Sequence, residues 1–209
     1  MNEEYGLPSN EKTASLGGNM KFKHLACTGH PRSGTHYITG LISTNFLEDI
    51  DYLEIYRNHE FPHMATDPAT AYFHIWRDFE GIGKSVYLLK ERFGLEVDRY
   101  EDFLQRRYCD MWHENDPNAV LTNVRTLNGS AQFGGVSDFF KEADMTPREF
   151  WSYYNGLWRD TARENQNIIS VKYDDMVTRF EGTMRWIAKR LGSQVTEFKN
   201  IKGKIGWWK

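Results

Sequence analysis

The sequence predicts an α/β domain: a parallel sheet with helices on both faces. Three observations carry that expectation. Short apolar runs of strand length alternate with stretches of helical spacing. The first run ends in a glycine loop that opens directly into a helix. The chain has 209 residues and is 40% hydrophobic, enough for one covered sheet.

Residues 1–20 mix Gly, Ser, Asn and Pro without periodicity and read as a flexible lead-in, leaving 21–209 as one domain. Lys21 to Thr28 is the first strand expected. From Thr35 to Phe46, Tyr37, Ile38, Leu41, Ile42 and Phe46 fall at helical spacing. Tyr52 to Tyr56 is a second strand, followed by a polar turn at Arg57, Asn58 and His59. Ala71 to Trp76 is a third, leading into a helix from Phe79 to about Phe93 with Ile82, Val86, Leu89 and Phe93 on one stripe. Arg99 to Trp112 reads as one helix, and Asn123 to Ser137 as a loop rich in Gly, Ser and Asn. Thr146, Pro147 and Glu149 have the capping-box pattern with Pro at the first helical position, so a helix should start there and run to about Asn165. Asn167 to Tyr173 is a fourth strand. Val177 to Leu191 is a helix that Gly192 should stop. The last residues, Lys202 to Lys209, are basic, glycine-containing and aromatic.

Bulk composition narrows the function. The net charge is −3, so a protein that grips nucleic acid by bulk electrostatics is not expected. Any anion site must be local. Two cysteines, Cys27 and Cys109, make no disulfide framework and no metal-type pair, which points to a reducing, cytoplasmic setting. No apolar run approaches the roughly 18 residues of a membrane helix. The polar, acidic start is neither a signal peptide nor an anchor.

The loop from Gly29 to Thr35 (Gly-His-Pro-Arg-Ser-Gly-Thr) lies between a strand and a helix, where a phosphate cradle belongs. Backbone N–H groups and the helix N-terminus can point at an anion, and glycine lets it approach. The spacing is P-loop-like up to the second glycine. Thr35 and His36 then stand where a nucleotide-triphosphate loop has Lys and Ser or Thr. The cation comes earlier, as Arg32. A P-loop kinase or NTPase stays open as an alternative, though no strand ending in a metal-holding Asp is evident.

Pro31, Arg32, Ser33, Gly34 and Thr35 resemble the 5′-phosphosulfate loop of sulfotransferases that use 3′-phosphoadenosine 5′-phosphosulfate (PAPS). Three further matches follow in order. Arg77 and Ser85 reproduce the family's Arg-x7-Ser pair for the 3′-phosphate. Tyr173, within Val-Lys-Tyr-Asp-Asp-Met, resembles the tyrosine that contacts adenine. Lys202, Gly203 and Lys204 resemble the start of the C-terminal segment that closes over the 3′-phosphate. Tyr37 falls where cytosolic members have an adenine-stacking Trp. His59 resembles the general base, with Glu60 as an alternative because some branches use Glu.

The resemblance implies a soluble enzyme that moves a sulfuryl group from PAPS to a hydroxyl or amine of a small-molecule or glycan acceptor, leaving PAP. It implies no metal, no nucleic acid and no membrane. Arg32 would neutralise the leaving phosphate while the loop, Ser33, Thr35 and His36 hold it. Departures are Arg32 for the cytosolic Lys, Ile201 for the first Arg of the C-terminal motif, and Trp207 for its Asp. A non-catalytic PAP-binding module is the remaining alternative.

Overall fold

Strand β1 spans His24–Gly29, and five of its six residues are buried. A strand covered on both faces needs no polar alternation, and this run shows none. The computed structural model describes residues 21–46, 57–59, 61–112 and 143–201.

Helix α1 is Thr35–Phe46, and its buried stripe of Ile38, Leu41, Ile42 and Phe46 follows the expected spacing. Strand β2 is Arg57–Asn58. These two residues were expected in a turn, and the strand expected at Tyr52 to Tyr56 lies outside the described residues. Parallel pairing with β1 makes the strand here, and two polar residues carry no alternation by which to foresee it. Strand β3 is Thr70–Trp76. Helix α2 is Phe79–Tyr87, shorter than expected, and a separate 3-10 turn at Glu91–Phe93 follows it. The single helix expected from Arg99 to Trp112 is two, α3 (Tyr100–Gln105) and α4 (Tyr108–Met111). Between them Arg106 and Arg107 are extended, and the Tyr108 and Cys109 amides bond to the Met145 and Ala143 carbonyls instead. Tertiary partners overrule local helical spacing at that point.

Helix α5 is Pro147–Glu164, and Thr146 and Glu149 form the capping box in full. Strand β4 is Ile168–Lys172. Two helices follow where one was expected, α6 (Tyr173–Thr178) and α7 (Phe180–Leu191). Gly192 ends α7 with φ 75°, a left-handed turn that glycine adopts without strain.

The four strands form one parallel sheet in the order β2-β1-β3-β4. On one face Leu25, Cys27, Phe73, Ile75, Ile169 and Val171 pack against α1 and α7. On the other lie Tyr154 and Trp158 of α5. That second face also has a buried polar layer. His74 stacks on Trp158, with ring centroids 5.4 Å apart. Its Nε2 donates to Asn155 Oδ1 at 3.1 Å, and its Nδ1 accepts from the Ser170 hydroxyl at 3.0 Å. Asn155 Nδ2 donates to the Trp151 carbonyl at 2.8 Å, which fixes the orientation of the amide. Burial holds His74 down to about 3, so it is neutral. The chain runs outward from β1 to β2 and then returns to β3 on β1's other side. In open parallel sheets that reversal opens a crevice at the carboxyl ends of the strands.

Candidate active site

Each of the four strands is followed at once by a residue with chemistry. His30 follows β1, His59 follows β2, Arg77 follows β3 and Tyr173 follows β4. The register sets Gly29 opposite Ile75, and Trp76 opposite Lys172, so these ends share one rim. Lys172 Nζ bonds Asp78 Oδ2 at 2.8 Å and ties the ends of β3 and β4 together.

The loop after β1 is tight. A Cβ on Gly29 would lie 2.4 Å from the Ile75 carbonyl oxygen and 2.5 Å from Ser33 Oγ. Gly34 has φ 109°, and a Cβ there would lie 2.5 Å from the Tyr173 ring. Arg32 has φ 72°, the only positive φ outside glycine among the described residues. Strain of this kind costs on the order of 1–3 kcal/mol and collects at functional turns. Ser33 is fully buried, and its Oγ has no hydrogen-bond partner among the described residues. A buried hydroxyl without a partner is costly, and a ligand anion would satisfy it.

Arg32 Nε donates to Ser85 Oγ at 2.9 Å, joining the loop to α2. Burial, then the field of Arg92, holds the Arg32 guanidinium below its ordinary value. Arg77 lies 5.0 Å above the Tyr173 ring, and its carbonyl accepts from Trp151 Nε1 at 3.0 Å. Tyr37 meets Tyr173 edge to face at 5.6 Å, and its hydroxyl donates to Asn200 Oδ1 at 2.9 Å.

His59 Nδ1 lies 2.6 Å from the Gly29 carbonyl oxygen. A carbonyl can only accept, so Nδ1 carries the proton and Nε2 the lone pair of the neutral ring. Burial pushes His59 below the usual histidine value, against the pull of that carbonyl. His30 is fully buried, with Nδ1 2.9 Å from the Pro31 carbonyl oxygen. Burial, helped by nearby His59, holds it down to about 3 despite that bond. His30 packs on Phe150 and Tyr154, and these two rings also touch Phe61.

A family model for the sulfotransferase domain matches residues 35–202. The chain belongs to the sulfotransferase family. A solved structure of mouse sulfotransferase SULT7A1 complexed with PAP has the same fold, with a TM-score of 0.51 at 15% identity. The match covers 83% of this chain, which spans 59% of the length of that protein. No curated protein is similar enough in sequence to match.

Pro31, Arg32, Ser33, Gly34 and Thr35 make up the loop; Ser85 of α2 joins it through Arg32, the Tyr173 ring packs beside Gly34, and Tyr37 of α1 and Arg77 both meet that ring. His36 is exposed on the first turn of α1. Lys202, Gly203, Lys204 and Glu60 lie outside the described residues, as do Trp207 and the loop expected at Asn123 to Ser137. Among the described residues no three His, Cys, Asp or Glu side chains group as a metal site. No described helix is long and apolar enough to cross a membrane. Sequence reasoning passed over His30 and Trp151. His30 was legible as a member of the loop. Trp151 reads as an ordinary helical position, and only tertiary contacts distinguish it.

Proposed function

We propose that this sulfotransferase moves a sulfuryl group from PAPS to a hydroxyl acceptor, with His59 as general base and no metal. The observation that carries the reading is the convergence of His59, Arg32, Arg77 and Tyr173 around the strained loop with its unsatisfied Ser33 hydroxyl. The loop suits a nucleotide phosphate, because it leads into the N-terminus of α1 and Ser33 has a bond to give.

When bound, PAPS supplies the sulfuryl group and departs as PAP with the electron pair of the broken S–O bond. His59 Nε2 takes the acceptor's hydroxyl proton as the new O–S bond forms. The Gly29 carbonyl holds the ring in the tautomer that puts the lone pair on this nitrogen, and burial keeps the ring neutral. Arg32 meets the negative charge that builds on the leaving phosphate oxygen. Arg77 gives a forked, charge-assisted contact to the 3′-phosphate, with Ser85 and, from the C-terminal segment, Lys202 and Lys204. Tyr37 and Tyr173 offer ring surface to adenine.

The test has two parts. Thermal melting with PAP and EDTA should show stabilisation, about 2.7 kcal/mol at 100 times Kd. Labelled PAPS offered with a library of hydroxyl acceptors should then yield a labelled product. A shift with ATP and Mg²⁺ but none with PAP would defeat the donor assignment. Binding of PAP without transfer to any acceptor would favour a non-catalytic PAP-binding module.

A further inference from the structure

Arg77 is fixed at its root. Its carbonyl takes the Trp151 indole N–H at 3.0 Å, and the next residue, Asp78, takes Lys172 Nζ at 2.8 Å. The guanidinium at its tip makes no hydrogen bond or ion pair to the described residues. Two surfaces set where that tip can lie. One is the Tyr173 ring, whose centroid is 5.0 Å from Cζ. The other is the first turn of α2, at Gly81.

A Cβ on Gly81 would lie 3.3 Å from Arg77 Cζ, 3.3 Å from Nε and 3.4 Å from Nη2. Such nearly equal distances to a flat group put that position over its face, because from an edge the central carbon would be farther than the nitrogens. The fork therefore turns its face to α2, and its N–H edges point elsewhere. Contacts this close leave no room for a side chain at 81 unless the fork moves. The Tyr173 ring cannot make way, since it is packed against Gly34 and meets Tyr37 edge to face at 5.6 Å. With its root fixed, the fork would have to turn out of its present plane. Glycine within a helix is less favourable than alanine, so its presence here calls for a reason. Gly156 and Gly182, also helical, would meet nothing within 4 Å, and the nearest neighbour of a Cβ on Gly83 would be the Phe79 ring at 2.9 Å. Of these four glycines, Gly81 is the one whose added carbon would meet a charged group.

We propose that Gly81 is a positioning residue: its missing side chain sets the plane of the Arg77 fork, so that one N–H edge meets the 3′-phosphate of the donor in two parallel bonds. The inference rests on the donor reading above and deepens it. A fork aligned before the ligand arrives loses little freedom on binding, and a planar, two-bond contact fails when the plane turns.

The experiment titrates the full chain with PAP and with adenosine 5′-monophosphate, which lacks the 3′-phosphate. The proteins are wild type, Gly81→Ala, Gly182→Ala, Arg77→Lys, and Arg77→Lys with Gly81→Ala. Gly81→Ala should lower the ratio of PAP to adenosine 5′-monophosphate affinity about tenfold. Its Tm should not fall, because alanine favours the helix. Gly182→Ala should leave the ratio within about twofold, because its new carbon meets nothing. In the Arg77→Lys background there is no fork to align, so adding Gly81→Ala should change the ratio by less than about twofold. An unchanged ratio in Gly81→Ala overturns the proposal, and so does an equal fall in the arginine and lysine backgrounds. A wild type that binds PAP no better than adenosine 5′-monophosphate would instead defeat the donor reading.

Discussion

Replacing Gly34 by alanine tests whether the loop and Tyr173 are one packed unit. Two costs come directly from the geometry. At φ 109° a side chain is strained, on the order of 1–3 kcal/mol. The new Cβ would also lie 2.5 Å from Tyr173 Cδ2, so the ring must leave its place against Tyr37 and under Arg77. Losing those ring contacts adds about 0.5–1.5 kcal/mol. Gly34→Ala should therefore lose roughly 2–4 kcal/mol, and each kcal/mol should lower Tm by about 2–4 °C in a domain of this size. The two costs separate in a double-mutant cycle. Tyr173→Ala removes the ring and with it the clash, leaving only the backbone strain. The combined variant should be less destabilised than the sum of the single changes, by at least about 0.5 kcal/mol. Urea unfolding of the four proteins measures this. Strict additivity, or a Gly34→Ala protein as stable as wild type, would refute the packing of loop on ring.

His59→Ala should lower single-turnover transfer from labelled PAPS by about 10²–10⁴-fold with PAP affinity nearly unchanged. A dead Glu60→Gln beside an active His59→Ala would move the base to Glu60. Arg77→Ala should weaken PAP by about 1.5–3 kcal/mol but scarcely affect adenosine 5′-phosphosulfate, which lacks the 3′-phosphate. Equal losses in isothermal titrations would show that Arg77 does not read that group. Stability should fall with acid, because His30 and His74 stay neutral when folded to about 3 but accept protons from 6.5 downward when unfolded. Their contribution is whole above pH 6.5 and drains as pH falls toward 3, so at about pH 5 each has removed about 2 kcal/mol. His74→Gln should flatten this slope in urea melts recorded from pH 7 to 5, and an unchanged slope would contradict its burial as a neutral ring.

The parallel sheet and the glycine loop were legible because both are written locally. Apolar runs change period at Thr35, and Gly29 and Gly34 mark where backbone must come close. The capping box at Thr146 and the stop at Gly192 were legible for the same reason. The break at Arg106 and Arg107 was not, since nothing in those residues forbids a helix. It exists because the Met145 and Ala143 carbonyls, far along the chain, claim the next amides. At the site, Arg32, Arg77, Ser85 and Tyr173 could be chosen by residue type and order. The bond from Arg32 to Ser85 could not be, because it depends on how α2 lies against the loop. The tautomer of His59 likewise depends on a carbonyl thirty residues earlier.

The polar layer beneath α5 sets where that helix can stop. Between purely oily surfaces a helix can slide by one turn and still bury similar area. His74 and Asn155 allow no such slide, since a step of one turn would strand a buried ring nitrogen and an amide oxygen, at about 1–3 kcal/mol each. Trp151 sits one turn before Asn155, and its indole N–H grips the carbonyl of Arg77. The histidine thus works as an indexing pin: with it seated, α5 has one longitudinal position, and the backbone that carries Arg77 is held at one height above the sheet.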